Sequence, residues 1–146
     1  TQLMFSAKTD DWRTPEDMLR ELNKEFNFDF DPCPLDASFD GLKMEDWSGS
    51  CMFVNPPYSK NKSQGKKGKA GYVKGWVEKC YEEWKKGKTI VLLIPSRTDT
   101  AYFHDYILGN AELRFIRGRL KFNGHYNPAP FPSMLAIFRG KNMKPV

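Results

Sequence analysis

Apolar residues follow two kinds of pattern along the chain. A spacing of three or four residues predicts helices, and short apolar runs or strict alternation predict strands. Apolar residues recur every three or four positions within residues 14–26 and again within residues 72–86, which predicts two amphipathic helices. The first helix opens on Thr14, which can cap free N–H groups, and on Pro15, which fits the first helical turn. A shorter helix is predicted at residues 99–108.

Short runs of apolar residues predict the strands. Residues 89–94 are leucine and β-branched residues without alternation, so we predict a strand that is buried on both faces of a sheet. The other predicted strands are residues 28–31, 51–54, 112–116, 119–122 and 133–138. Strands that alternate with helices, followed by two strands joined by a proline-rich loop, indicate an α/β fold. Its mixed sheet is expected to end with antiparallel C-terminal strands.

The length of the chain predicts one domain over residues 1–146, because no second core fits. Within it, residues 60–70 are rich in lysine and glycine and are predicted to be a mobile loop. No apolar run reaches the roughly 20 residues of a membrane helix, and the polar N-terminal residues do not resemble a secretory signal. Three cysteines without CxxC spacing and two distant histidines indicate a reducing compartment and no metal site.

Charge is distributed unevenly along the chain. Residues 1–46 carry five basic and twelve acidic side chains, whereas residues 113–146 carry seven basic side chains and no acidic one. This asymmetry favours a polyanionic partner for the basic part, although a solvated basic surface explains it equally well.

The turn formed by Asn55, Pro56, Pro57 and Tyr58 follows a predicted strand and is the clearest candidate for catalysis. An aromatic amine is a poor nucleophile because its lone pair is delocalised into the ring. The Asn55 side-chain oxygen and the Pro56 carbonyl can accept the two amine hydrogens and hold the lone pair toward an electrophilic methyl group, while the prolines fix the backbone. Tyr58 can stack on the base. The alternative is a proline-rich turn stabilised by an asparagine.

This turn resembles motif IV of amino-group DNA methyltransferases, and the whole chain resembles the phage-type Dam family of DNA adenine methyltransferases. The segments that carry the resemblance are residues 12–15, 28–33, 40–42, 46–47, 53–59, 93–100, 118–122 and 130–133.

The resemblance implies an abbreviated Rossmann-like methyltransferase fold and methyl transfer from S-adenosylmethionine to N-6 of an adenine flipped out of double-stranded DNA. S-adenosylhomocysteine is then the product, and no metal takes part. It also implies a cytoplasmic location, in the bacterial host if a phage encodes the protein, and a role such as protection from restriction.

The cofactor segment departs from the wider class of these enzymes. Most carry a Phe-x-Gly-x-Gly loop after the first strand, whereas this chain has Asp-Pro-Cys-Pro at residues 31–34, without a glycine. Only about twenty residues separate the predicted strand at residues 28–31 from the strand that ends before Asn55. This is too few for two strand–helix units, so the cofactor pocket must be abbreviated. By resemblance, the expected cofactor-binding residues are Trp12, Thr14, Pro15, Asp31, Pro32, Cys33, Asp40 and Asn55.

Structural roles explain several of these residues without a cofactor. Asp31 and Asp40 can cap turns, Thr14 and Pro15 can simply start the helix, and Trp12 can cover the core.

Basic residues near the predicted turn are the candidates for DNA binding. The predicted set consists of Lys60, Lys62, Lys66, Lys67, Lys69, Arg97, Arg119, Lys121 and Phe122. The alternatives are a solvated lysine loop, an ion pair between Arg97 and Asp99, and an ordinary strand that buries Phe122 in the core.

Three rival functions remain at this point. The same chemistry serves cytosine N-4 or a protein glutamine, and a catalytically silent nucleic-acid-binding protein can keep the fold. Cytosine-C5 methylation needs a cysteine nucleophile, usually after a proline; Cys33 follows Pro32, but the Asn-Pro-Pro-Tyr turn suits amine chemistry better.

Overall fold

The computed structural model describes residues 13–34, 39–58 and 73–141 of the chain. Its two α-helices are α1 (Glu16–Phe26) and α2 (Val73–Lys85). The strands are β1 (Cys51–Val54), β2 (Thr89–Pro95), β3 (Glu112–Phe115) and β4 (Ser133–Phe138). A 3-10 turn (Gly41–Lys43) precedes β1, and a π-helical segment (Phe103–Ile107) stands where the third helix was predicted.

The four strands form one mixed sheet in the order β1-β2-β4-β3. Strands β1 and β2 are parallel, and β4 is antiparallel to both of its neighbours, β2 and β3. Strands β1, β2 and β3 therefore run in the same direction, and their carboxyl ends meet at one edge of the sheet. The α/β class and a mixed sheet with an antiparallel C-terminal strand are confirmed, although β4 pairs with β2 and β3 and not with residues 119–122.

Helices and loops cover both faces of this sheet. On one face, Ile90, Leu92 and Ile94 of β2 pack with Trp76 and Val77 of α2. On the other face, the alternate β2 residues Val91 and Leu93 join a cluster with Leu22 and Phe26 of α1 and with Phe122. All of these side chains except Leu22 are almost completely inaccessible. The prediction that β2 is buried on both faces is confirmed.

Two predicted strands are wrong, and local contacts explain why. Within residues 28–31 only Phe30 forms a bridge, with Met52, because the Asp29 carboxylate accepts the N–H groups of Ser50 and Cys51. Residues 119–122 form a loop, because both edges of β4 are already filled by β2 and β3.

The predicted capping role of Thr14 is also wrong. Pro15 is the N-cap residue of α1, and no side chain caps the helix. The Thr14 hydroxyl instead takes part in the candidate site.

A buried carboxylate joins α2 to the segment before β1. Glu83 is fully buried and accepts hydrogen bonds from Lys79, Lys86 and Lys88 and from the backbone N–H of Trp47. Burial alone would raise the pKa of Glu83, but these donors overcome it and lower the pKa to about 2.

Some of the predictions cannot be compared with the structure. Trp12 and the lysine-rich loop at residues 60–70 lie outside the described residues. Within the described ranges, no helix is long and apolar enough to cross a bilayer. The same ranges contain no group of three or more His, Cys, Asp or Glu residues that could hold a metal ion.

Candidate active site

The Asn55 side chain is fixed at both of its polar atoms. Asn55 follows β1 directly and is 3% exposed. Its Nδ2 donates to Thr14 Oγ1 at 2.9 Å, and its Oδ1 accepts from the Tyr58 hydroxyl at 2.7 Å. An amide oxygen has two lone pairs, so Oδ1 can accept more than one hydrogen bond. The orientation of this acceptor is therefore set before any substrate arrives.

Tyr58 is held by its hydroxyl and by two phenylalanine rings. Besides Asn55, the hydroxyl faces the Leu93 carbonyl oxygen at 3.0 Å. The ring makes edge-on contacts with Phe122, at a centroid distance of 6.3 Å, and with Phe131, at 5.5 Å. Burial raises the pKa of Tyr58 well above its usual value, so the hydroxyl stays protonated and can donate. The half-buried ring thus fixes Asn55, while base stacking stays a prediction.

The prolines of the turn lie inside the protein. Pro56 and Pro57 are both buried, and Pro15 is half-buried beside Thr14. Because each proline ring restricts φ, the backbone carbonyls of the turn have little freedom to move. The turn thus holds a side-chain oxygen and a backbone carbonyl as fixed acceptors at the carboxyl end of β1.

Asp31 is a buried carboxylate with one unsatisfied oxygen. Its Oδ1 accepts the N–H of Cys33 at 2.9 Å, which is the turn-capping role. Its Oδ2 is buried and has no hydrogen-bond partner within the described part of the chain. Burial raises the pKa of Asp31 to about 7, although the hydrogen bond from Cys33 opposes this. Such an oxygen is expected to meet a donor, and a ligand can supply it.

Cys33 connects the Asp31 segment to the Asn-Pro-Pro-Tyr turn. Its thiol donates to the backbone oxygen of Asn55, with an Sγ–O distance of 3.7 Å. Burial, aided by the Asp31 and Asp40 carboxylates, raises the pKa of the thiol. A protonated thiol is a weak nucleophile, so Cys33 does not suit the covalent attack of cytosine-C5 methylation.

The second predicted cofactor segment packs against the first. The Asp40 carboxylate accepts the N–H of Leu42 at 3.0 Å, which is its turn-forming role. The next residue, Gly41, approaches the Pro32 backbone so closely that any side chain there would clash with the Pro32 carbonyl. Glycine is therefore required at position 41, and the Asp31 and Asp40 segments form one wall. Their contacts with a cofactor stay predictions.

The C-terminal basic residues fall into two groups. Arg114 and Arg139 form ion pairs with Glu25 and Glu112, and both lie over the ring of Phe26. In contrast, the exposed residues Arg97, Arg117, Arg119 and Lys121 make no ion pair within the described residues. The ion pair considered between Arg97 and Asp99 is thus not formed there, and the exposed group is available to phosphates.

Phe122 is buried in the core and is not exposed for contact with DNA. Its ring is 1% exposed and packs with Tyr58 and Phe131, so it cannot stack on a base in this conformation. The residue packs against Tyr58 and so supports the Asn-Pro-Pro-Tyr turn.

Sequence reasoning missed three contacts of the catalytic turn. These are the Thr14 hydroxyl on Asn55, the Leu93 carbonyl on Tyr58 and the ring of Phe131. Each lies more than thirty residues from its partner, so no local pattern indicates the contact. For Phe131 the only signal was its place in a segment that carries the family resemblance.

Comparison with known proteins gives one match. A family model described as DNA N-6-adenine-methyltransferase (Dam) matches residues 3–142. No curated protein and no solved structure matches the chain.

Proposed function

The chain belongs to the DNA N-6-adenine-methyltransferase (Dam) family, and from this premise we propose that it methylates N-6 of an adenine flipped out of double-stranded DNA. The family implies adenine methylation of DNA; the donor, the flipped base and the residue roles are our proposal. The observation that carries it is the double fixation of Asn55, by Thr14 at 2.9 Å and by Tyr58 at 2.7 Å.

Asn55 and Pro56 are the proposed acceptors of the two amine hydrogens. With both hydrogens engaged, the lone pair of N-6 is directed away from the ring plane and toward the methyl donor. The amine nitrogen forms a bond to the methyl carbon as the carbon–sulfur bond breaks, S-adenosylhomocysteine leaves, and the surplus proton passes from the methylated nitrogen to water. Fixed acceptors lower the barrier because they need no reorganisation as charge develops on the amine. Tyr58 keeps Asn55 in place and offers its half-exposed ring to the base.

S-adenosylmethionine is the proposed donor, and it supplies an electrophilic methyl group on a sulfonium centre. The unsatisfied Oδ2 of Asp31 fits this ligand, which carries an ammonium group and ribose hydroxyls as donors. The Cys33 thiol places the Asp31 segment next to the Asn55 backbone, so a ligand held there lies near the catalytic turn. We assign Asp31 as the main cofactor contact, and the packed segment at Pro32, Gly41 and Asp40 as its wall.

The sheet supports an abbreviated Rossmann-like methyltransferase fold. Three strands run in one direction, and their carboxyl ends gather at the edge where Asn55 and Arg97 emerge. Arg97, Arg119 and Lys121 are the proposed phosphate contacts, because they are exposed and lack acidic partners within the described ranges. The five lysines of residues 60–70 are proposed to add to this surface.

Product analysis tests the acceptor. The protein is incubated with methyl-labelled S-adenosylmethionine and unmodified plasmid DNA, and the digested nucleosides are separated. We expect label in N-6-methyladenine only, and DNA that the protein has already methylated should take up no more. Label in N-4-methylcytosine would show that cytosine is the acceptor, and label in protein glutamine would show that a protein is the acceptor. Absent transfer together with absent cofactor binding in calorimetry would indicate a silent DNA-binding protein.

A further inference from the structure

The side chain of Tyr126 is almost fully exposed to solvent. Its side chain is 89% exposed, more than any other large hydrophobic residue that the structure describes. The next most exposed aromatic residue, Phe115, is at 65% and lies at the end of the edge strand β3. A tyrosine ring has a large apolar face, so Tyr126 can gain free energy by packing on a flat partner, and its surroundings indicate which partner that is.

The loop that carries Tyr126 is firmly anchored at its base. We call residues 120–129 the 120s loop. The N–H of Ala129 donates to the Leu120 carbonyl at 2.8 Å, which closes the loop, and Phe122 and Ala129 are buried. The N–H of Asn123 donates to the Arg13 carbonyl at 2.9 Å, and Gly124 turns the chain at φ 86°. Only the tip therefore projects, on a fixed support.

Two of these anchors also connect the loop to the catalytic turn. Arg13, which pairs with Asn123, immediately precedes Thr14, the hydrogen-bond partner of Asn55. Phe122 contacts the ring of Tyr58. Two independent contacts thus link the base of the loop that carries Tyr126 to the Asn-Pro-Pro-Tyr turn.

The surroundings of the loop favour nucleic acid. Arg117, Arg119 and Lys121 are exposed beside it, and residues 113–146 contain no acidic side chain. Base stacking on aromatic rings and phosphate contacts by basic residues commonly occur together in proteins that bind DNA. An adenine that leaves the helix opens a gap in the base stack, and proteins that distort DNA fill such gaps with inserted side chains.

We propose that Tyr126 enters the duplex and stacks in the space left by the flipped adenine. This inference rests on the proposed function. Tyr126 does not touch the reacting atoms; it is a positioning residue that stabilises the flipped state. Its contribution should therefore depend on how firmly the target adenine is held in the duplex.

The test compares Tyr126→Ala with the wild-type protein on two oligonucleotide duplexes. Both contain a site that the wild-type protein methylates; in one the target adenine is paired with thymine, and in the other it faces an abasic position. We expect Tyr126→Ala to lose about 10-fold to 100-fold in kcat/KM on the paired duplex, the loss of one stacking contact. On the abasic duplex, where the adenine is already unpaired, the loss should be much smaller.

Two variants control for other effects of the substitution. Tyr126→Trp keeps a stacking ring and should retain most of the activity, whereas Phe115→Ala removes the other exposed aromatic residue and should leave the rate on paired DNA unchanged. Equal losses on both duplexes, or a wild-type rate for Tyr126→Ala on paired DNA, would overturn the inference while leaving the proposed function intact. A wild-type protein that methylates no DNA would instead remove the proposed function, and this inference with it.

Discussion

The hydrogen bond between Thr14 and Asn55 allows a quantitative prediction about the site. Thr14→Val keeps the shape of the side chain but removes the acceptor of the Asn55 Nδ2 hydrogen. Both residues are nearly inaccessible, Thr14 at 4% and Asn55 at 3%, so water cannot easily replace the lost partner. A buried donor without a partner costs about 1–3 kcal/mol, and we expect the free energy of unfolding to fall by that amount.

The catalytic rate of Thr14→Val should fall as well, because a hydrogen bond that helps to fix the Asn55 amide is lost. If the same free energy is lost in the transition state, the single-turnover rate falls about 5-fold to 150-fold. The rate is measured with DNA and S-adenosylmethionine both saturating, so weaker binding of either one does not enter. Thr14→Ser keeps the acceptor and is expected to stay near the wild-type rate while losing about 0.8 kcal/mol of stability for one buried methyl group.

A double-mutant cycle separates this contact from general damage to the fold. In an Asn55→Ala background the Nδ2 donor is gone, so Thr14→Val should cost less than about 0.5 kcal/mol in urea denaturation. Additive losses in the two variants would show that the bond contributes nothing of its own. A Thr14→Val protein that is less stable but turns over at the wild-type rate would refute the claim that Thr14 orients Asn55.

Three further predictions follow from the charged groups. The pKa of buried Asp31 is raised to about 7, so its carboxylate forms, and cofactor affinity should rise, as the pH increases through 7. In titration calorimetry, Asp31→Asn should abolish this pH dependence. A variant with the wild-type pH profile would exclude Asp31 as a cofactor ligand. Arg119→Ala should weaken DNA binding and reduce its slope against the logarithm of salt concentration by about 1, whereas Arg20→Ala, an arginine paired with Asp17 on α1, should not. Since the pKa of Glu83 is lowered to about 2 from 4.5, its stabilisation is present above pH 4.5 and is lost as the pH falls toward 2. In chemical denaturation, Glu83→Gln should lower the free energy of unfolding by about 3 kcal/mol at pH 7 and reduce its dependence on pH between 4.5 and 2. A variant whose stability falls with acid as in the wild-type protein would contradict this.

Local patterns were sufficient to predict most of the elements. The unbroken apolar run of β2 indicated burial on both faces, and the periodicity of residues 72–86 identified α2 within one residue at each end. The Asn-Pro-Pro-Tyr turn was recognisable as a candidate because its four residues are contiguous and follow an apolar strand. In each case the determining information lies within a few neighbouring residues.

What the sequence did not predict depends on contacts between distant segments. Residues 119–122 have the composition of a strand, but β2 and β3 leave β4 no free edge for them. The acid-free C-terminal segment favoured a polyanionic partner or a solvated basic surface for its basic residues, yet Glu25 of α1 pairs with Arg114 across 89 positions. Thr14 fits a helix cap by every local criterion, and only the position of Asn55, 41 residues later, gives it another role.

The most direct test of the account is single-turnover methyl transfer by Asn55→Ala, measured together with S-adenosylmethionine binding in calorimetry. Although Asn55 is among the expected cofactor-binding residues, Asp31 is the main proposed contact, so we expect cofactor affinity to change little. The transfer rate to adenine should fall about 100-fold to 1000-fold, as for other preorganised polar groups that act in the transition state. A variant that binds the cofactor and methylates adenine at nearly the wild-type rate would contradict the assignment of the Asn-Pro-Pro-Tyr turn as the catalytic element.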